Sequence, residues 1–164
     1  MMRPVTSRRA ASGKAGYTLV ELIVVISILG ILAATMGPRF FDQSAFSQRG
    51  YADEIAAALR SAQKAAVITG CPARITISAG GYLGAQQAAS GNQCNTADTT
   101  WSTPLLSGDG STILGTTPSA TTVSPTGIFQ FDTQGRLTSS PATTLTIGAR
   151  SISIDPGTGF VQVQ

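Results

Sequence analysis

Between Tyr17 and Gly37 the chain runs for 21 residues with a single charged side chain, Glu21. As a helix rising 1.5 Å per residue, such a stretch is about 31 Å long, close to the thickness of a bilayer's hydrocarbon core. This constrains the fold more than any other feature, because a segment that apolar must be covered by lipid or by other protein. Arg3, Arg8, Arg9 and Lys14 precede it with no acid among them, and the next charge after it, Arg39, follows a Gly-Pro pair. The positive-inside bias then places the N-terminus in the cytoplasm and the residues beyond about 40 on the far side of the membrane. The formal charge of +3 belongs to that leading segment: beyond residue 16, seven Lys and Arg face eight Asp and Glu. The chain beyond the leading segment has no general electrostatic pull toward nucleic acid or acidic surfaces.

A secretory signal peptide is the competing reading, since it too has a basic region followed by an apolar one, and Leu32-Ala33-Ala34 would offer a small-residue cut. The length of the run and its ionisable group argue against it. The residues around the glutamate carry a resemblance instead. GYTLVELIVVISILGILAA, residues 16–34, resembles the class III leader junction and N-terminal helix of type IV pilins and type II secretion pseudopilins. The resemblance implies that a prepilin peptidase cuts between Gly16 and Tyr17, methylates the new N-terminus at Tyr17, and leaves the apolar helix attached. It makes Glu21 the family's glutamate at the fifth mature position, with a role in subunit assembly. Tyr17 departs from the phenylalanine most common at the first mature position, and Pro38 stands where many pilins carry a proline that loosens the helix.

A charge within hydrocarbon costs on the order of 2.5–3.5 kcal/mol at mid-span and less near an end, so Glu21 needs the interface or a partner. Cleavage would supply one, because the new amine of Tyr17 lies four residues earlier, on the same helix face. Two pairings stay open: within one chain, where the pair only neutralises the carboxylate, or with the amine of a neighbouring subunit, where it sets axial register in a filament.

After Pro38 the pattern turns amphipathic. Tyr51, Ile55, Leu59, Ala62 and Ala66 recur at helical spacing, with Asp53, Glu54, Arg60, Gln63 and Lys64 on the other faces. One long helix is expected from about 17 to 69, kinked or weakened at Gly37 and Pro38 and stopped by Gly70 and Pro72. Its first half would be lipid- or filament-packed, and its second half would cover a sheet.

Beyond Cys71 come short β-branched runs: ARITIS at 73–78, GIFQF at 127–131, TTLTI at 143–147, RSISI at 150–154 and FVQV at 160–163. The turns between the last three predict an antiparallel meander. Residues 84–126 are polar and poor in strand pattern, which predicts a long surface loop with one short strand near Thr112–Leu114. The expected fold is α+β: a leader at 1–16, an N-terminal helix at 17–70 whose first part, 17–37, is transmembrane, and a β-rich head at 71–164 packed as an antiparallel sheet against the helix.

Cys71 and Cys94 are the only cysteines. In a head outside the inner membrane they predict a disulfide, worth roughly 3–4 kcal/mol for its loop length. With no histidine in the chain, neither a metal site nor a Ser or Cys triad can be assembled in the usual way. No catalytic residue and no cofactor is expected. Asp98, Asp109, Asp132 and Asp155 sit in Gly- or Thr-rich turns, where aspartate caps its own backbone. Trp101, the sole tryptophan, has the chemistry to stack on a sugar or base, but as a loop residue reads as a packing anchor.

PRFFDQSAFSQRGYADEIAAALRSAQKAAVITGCPARITIS at 38–78, WSTPLL at 101–106 and TGFVQVQ at 158–164 look like minor pilins of the mannose-sensitive haemagglutinin (MSHA) pilus, the C-type member in particular. FQFDTQGR and the terminal GFV are also similar to minor pilins of the FimT type and H-type pseudopilins. The resemblance implies a minor subunit of an MSHA-like pilus, at or near a tip complex that primes assembly, used in surface attachment. Its partners would be major and minor pilins, the prepilin peptidase, the inner-membrane assembly platform and, before assembly, inner-membrane lipid, with the head in the periplasm and then on a surface pilus. Two rivals are a type II secretion pseudopilin and a DNA-capturing minor pilin. For the latter the head offers only scattered Arg74, Arg136 and Arg150, and weak DNA binding is expected.

Overall fold

The computed structural model describes residues 16–40, 43–90 and 93–164, with all their side chains but those of 34–40, 43 and 90. Of the expected leader only Gly16 is among them. The chain divides into two compact units, Met1–Asp42 and Gln43–Gln164.

In the first unit, helix α1 spans Leu19–Phe40. Its helical residues continue through Gly37 and Pro38, where a kink or weakening was expected; residues 41 and 42, which separate it from the next helix, lie outside the described residues. Among the described residues no helix is long and apolar enough to cross a membrane. The expected span, 17–37, runs on past residue 33, the last of α1 whose side chain is described.

In the second unit, helix α2 (Gln43–Thr69) is followed by β1 (Ala73–Ser78), β2 (Gly81–Gln86), β3 (Ala89–Ser90), β4 (Gln93–Cys94), β5 (Thr103–Pro104) and β6 (Leu114–Thr116). Then come β7 (Val123–Ser124), β8 (Gly127–Phe131), β9 (Leu137–Ser139), β10 (Thr144–Ile147), β11 (Arg150–Ile154) and β12 (Val161–Val163). The expected stripe of α2 is the buried one: Tyr51 is 2% exposed, and Ile55, Leu59, Ala62 and Ala66 are at 0%. Gly70, at φ +65°, ends the helix in the left-handed conformation that costs glycine little.

One sheet was expected, but the strands form two main ones. The larger runs in the order β5-β2-β1-β8-β9, with β6 also paired to β2, and the smaller runs β12-β11-β10-β7; β3 and β4 form a separate ribbon. All pairs are antiparallel, and β10, β11 and β12 form the expected meander. Alternation decides which face is wet. In β1, Ala73, Ile75 and Ile77 are buried while Arg74, Thr76 and Ser78 point the other way. The core gathers α2, Phe129 and Phe131 of the larger sheet, and Leu145, Ile147, Ile152 and Ile154 of the smaller one. One helix therefore covers both sheets, and its alanines let the backbones approach.

Polar side chains along α2 hold the turns in place. Arg60 donates to the carbonyl of Val161 through Nη2 at 3.0 Å. The Gln63 amide donates to Thr158 O at 2.8 Å and Gly135 O at 3.2 Å, and that of Gln48 to Ala120 O at 3.4 Å. At Gly148, with φ +58°, a Cβ would fall on the Gln48 side chain, so the turn between β10 and β11 needs a residue without one.

Candidate functional site

At the start of α1, Gly16, Tyr17 and Thr18 lie outside the helix, and Tyr17 is 82% exposed. The described part of the expected processing junction thus lies just ahead of the first helical turn. Thr18 caps the helix: its hydroxyl accepts the Glu21 N–H at 3.2 Å, and its carbonyl accepts the Leu22 N–H at 3.2 Å. Glu21 falls at the third helical position, where a carboxylate also meets the favourable end of the helix dipole. Thr-x-x-Glu is capping-box spacing, a signal that was present in the sequence at 18–21 and that sequence reasoning missed.

Along α1 the exposed apolar side chains range from 45% at Val25 to 74% at Leu19, with no buried stripe. Ser27 turns its hydroxyl onto the Ile23 carbonyl at 2.7 Å, so its donor is spent within the helix. Such a surface is stable in water only when something covers it. In the described part, 17–33, Glu21 is the one charged side chain.

In the head, Cys71 and Cys94 form the expected disulfide, with Cα atoms 5.3 Å apart. It joins the end of α2 to β4. The Gln86 amide donates to the Cys71 carbonyl at 3.3 Å and to the Thr69 hydroxyl. This closes the corner where helix, β2 and ribbon meet.

The four aspartates cap turns, as their settings suggest. Asp109 accepts from Ser111, Asp132 from Gln134 and Arg136, and Asp155 from Thr158. Asp98 does more: its carboxylate accepts from the N–H groups of Ala88, Thr100 and Trp101 and from the Thr100 hydroxyl. The hydroxyl bond foremost, then the backbone bonds, pull its pKa down to about 2. This turn holds Trp101 at φ +54°, a conformation that is costly for an aromatic residue. It sets the Trp101 ring against Arg74, whose Cζ is 4.6 Å from the ring centroid. Trp101 is therefore anchored, as expected, but its ring stacks on a cation. Sequence reasoning missed that pair because the two residues are brought together only by the pairing of β1 with β2 and of β2 with the β5 edge.

A second missed pair is Glu54 and Tyr82, whose hydroxyl donates to Oε1 at 2.7 Å. Burial first and the adjacent carboxylate next push the Tyr82 pKa well above its usual value. Arg136 and Arg150, the other head arginines singled out for nucleic acid, lie in the β8–β9 turn and at the start of β11. With Arg74 in β1, the three stand on three separate elements.

Comparison with known proteins bears on both units. A family model described as the prokaryotic N-terminal methylation motif matches residues 11–37. Another, described as Type II transport protein GspH, matches residues 51–159, more than half of the chain. Among curated proteins, a type IV narrow pilus major component, PilA5, of Thermus thermophilus is 45% identical over 53 residues, covering 32% of this chain and 46% of that one. A fimbrial protein of Pseudomonas aeruginosa is 40% identical over 55 residues, 34% of this chain and 36% of the relative. The matches thus span less than half the length of these relatives. No solved structure matches. A capped apolar helix behind a methylation motif, joined to a disulfide-closed head that matches the GspH model along nearly its whole length, makes this chain a member of the type IV pilin and pseudopilin family.

Proposed function

We propose that the chain is a minor pilin of an MSHA-like type IV pilus, the C-type member, acting in assembly initiation or in a tip complex and so in surface attachment. The observation that carries this reading is α1: a helix whose large apolar side chains among the described ones, 19–33, are all exposed, with one carboxylate in its first turn, beginning three residues after a glycine. Prepilin peptidase would cut between Gly16 and Tyr17 and methylate the Tyr17 amine, which keeps its charge. The subunit then waits in the inner membrane, N-terminus in the cytoplasm and head in the periplasm, with lipid covering residues 17–37. On the assembly platform it exchanges lipid for the helices of other pilins. Glu21 has its backbone N–H taken by Thr18, and its carboxylate meets the amine of the neighbouring subunit, drawing each new helix to the same depth. Gly37 and Pro38, which weaken the helix between its two halves, let head and anchor adjust during that transfer.

The second reading is a type II secretion pseudopilin, favoured by the head's match to the GspH model. DNA capture has weaker support, since the head arginines are dispersed.

Recovery of the chain from sheared, purified surface filaments tests the choice. Intact mass and N-terminal sequencing should show a start at methylated Tyr17 and two hydrogens missing for the Cys71–Cys94 bond. A processed chain found only in the envelope would move the pseudopilin reading ahead, and a start near residue 35 would mean an ordinary signal peptide. Glu21→Ala should leave the protein in the membrane while lowering its yield in filaments. Unchanged yield would mean that the carboxylate pairs within its own chain.

A further inference from the structure

The outer face of the larger sheet, turned away from α2, carries a built surface of its own. Across it, register places Leu114 opposite Leu83, Leu83 opposite Thr76 and Thr76 opposite Ile128. The three large apolar members of that row are 56%, 50% and 39% exposed. In the next row Arg74 stands opposite Gln130, and Trp101 lies over Arg74. Among the described residues the Arg74 guanidinium has no ion pair, and its Nε is buried without a hydrogen-bond partner. Asp98, the carboxylate whose charge it feels, already accepts four hydrogen bonds, three within its own turn and one from Ala88. The arginine is thus held in place by an aromatic ring, near the Asp98 charge but with its Nε unpaired.

The location limits what can bind. β1 and β2 are inner strands, paired on both sides, so their main-chain groups are spent and an extended peptide cannot add to them as a strand. Recognition has to use side chains: a guanidinium, an amide, the hydroxyl of Thr76, and flat apolar contact. Those groups suit a chain of sugar rings, whose C–H faces lie on apolar side chains and whose hydroxyls meet short polar ones. The cation adds the demand for a carboxylate, which a guanidinium grips with two parallel bonds. We propose that this face binds a carboxylated glycan of the uronic-acid type, one carboxylate on Arg74 and the adjoining rings along the Leu83–Thr76–Ile128 row.

For its purpose the inference rests on the attachment role above, but purified protein tests it separately, so its failure would leave filament membership untouched. The full chain in detergent micelles carries one tryptophan, Trp101, whose fluorescence reports the site directly. Titration with tetragalacturonate should give a saturable change. Its methyl ester, the same sugar without charge, should bind about tenfold more weakly, as should Arg74→Gln with the acid form, the loss expected for one charge-assisted pair. Thr76→Glu, on the outer face, should weaken the acid form and spare the ester, and this second variant guards against misfolding of the first. No response, an equal response to acid and ester, or an Arg74→Gln titration like the parent's would overturn the proposal. So would equally tight binding of poly-glutamate, which would identify the occupant as an acidic protein segment.

Discussion

Replacing both Cys71 and Cys94 by alanine should lower the stability of the head by roughly 3–4 kcal/mol, most of it through the unfolded chain. The bond closes a loop with a sequence separation of 23, and the loop-closure entropy for that length at 25 °C gives a value in this range. Alanine is the right replacement because Cys71 is 2% exposed; serine would add a buried hydroxyl and confuse the comparison. For the unit Gln43–Gln164, an unfolding entropy near 2.1 cal/mol/K per residue turns that loss into a fall in Tm of about 12–15 °C. The assay is thermal melting of the full chain in detergent, followed by far-ultraviolet circular dichroism and by Trp101 fluorescence. Trp101 lies seven positions after Cys94, so its signal reports the corner that the bond closes. If the bond acts by restricting the unfolded chain, the two transitions move together. A fall of less than about 4 °C with coincident transitions would refute the entropic argument. A shift seen by tryptophan alone would mean that the bond merely pins the ribbon to the end of α2.

Individual contacts have further measurable consequences. Phe129→Ala, at a ring with 0% exposure, should cost about 3–5 kcal/mol, read as a lower urea midpoint with an unchanged slope. Thr18→Ala should cost α1 about 1 kcal/mol of end stability, seen as faster amide exchange at Glu21 in micelles while the middle of the helix is unaffected. Asp98, with a folded pKa near 2 against an ordinary 3.8, stabilises the fold above the unfolded pKa, and that contribution disappears as pH falls from about 5 toward 2. Asp98→Asn should flatten the acid limb of the stability curve and shift Trp101 emission, because the turn that sets the ring is loosened. Tyr82 has a raised pKa, so its contribution is complete below pH 10 and is lost above it, where the unfolded phenol ionises first. Glu54→Gln should move the Tyr82 absorbance titration to lower pH.

Much of this fold was legible along the chain, for local reasons. β1 and β11 begin and end where alternating β-branched residues do, β8 spans the apolar run GIFQF, and α2 buries the stripe its spacing displays. β2 escaped because Gly81 and Gly84 interrupt it and read as turn. In the structure Gly84 lies between Leu105, Ile113 and Ile75, where a Cβ would be crowded at 3.1–3.2 Å; the glycine marks close packing, which only tertiary structure reveals. Residues 84–126, expected as loop, hold further short strands and part of β2, each recruited by a distant partner rather than by its own pattern. The split into two sheets has the same origin, since β7 pairs with β10 and not with its neighbour β8. At the N-terminal site Gly16, Tyr17 and Glu21 stood out at once, while the capping role of Thr18 went unread. Arg74 and Trp101 were each noticed alone, and nothing in a one-dimensional pattern joins them.

The polar clasp along α2 has one more implication, concerning which parts of the head can change. Arg60, Gln63 and Gln48 hold the turns by main-chain oxygens, which every amino acid possesses. The arrangement measures spacing: these bonds use no side chain at 158, 161 or 120, although Val161 is also held by the core, whereas one inserted residue there would carry an oxygen out of reach. The exposed Asp109–Ser111 turn, outside the clasp, is under no such ruler. An affinity tag or spectroscopic label placed there should leave the head intact, and the same label beside Thr158 should not.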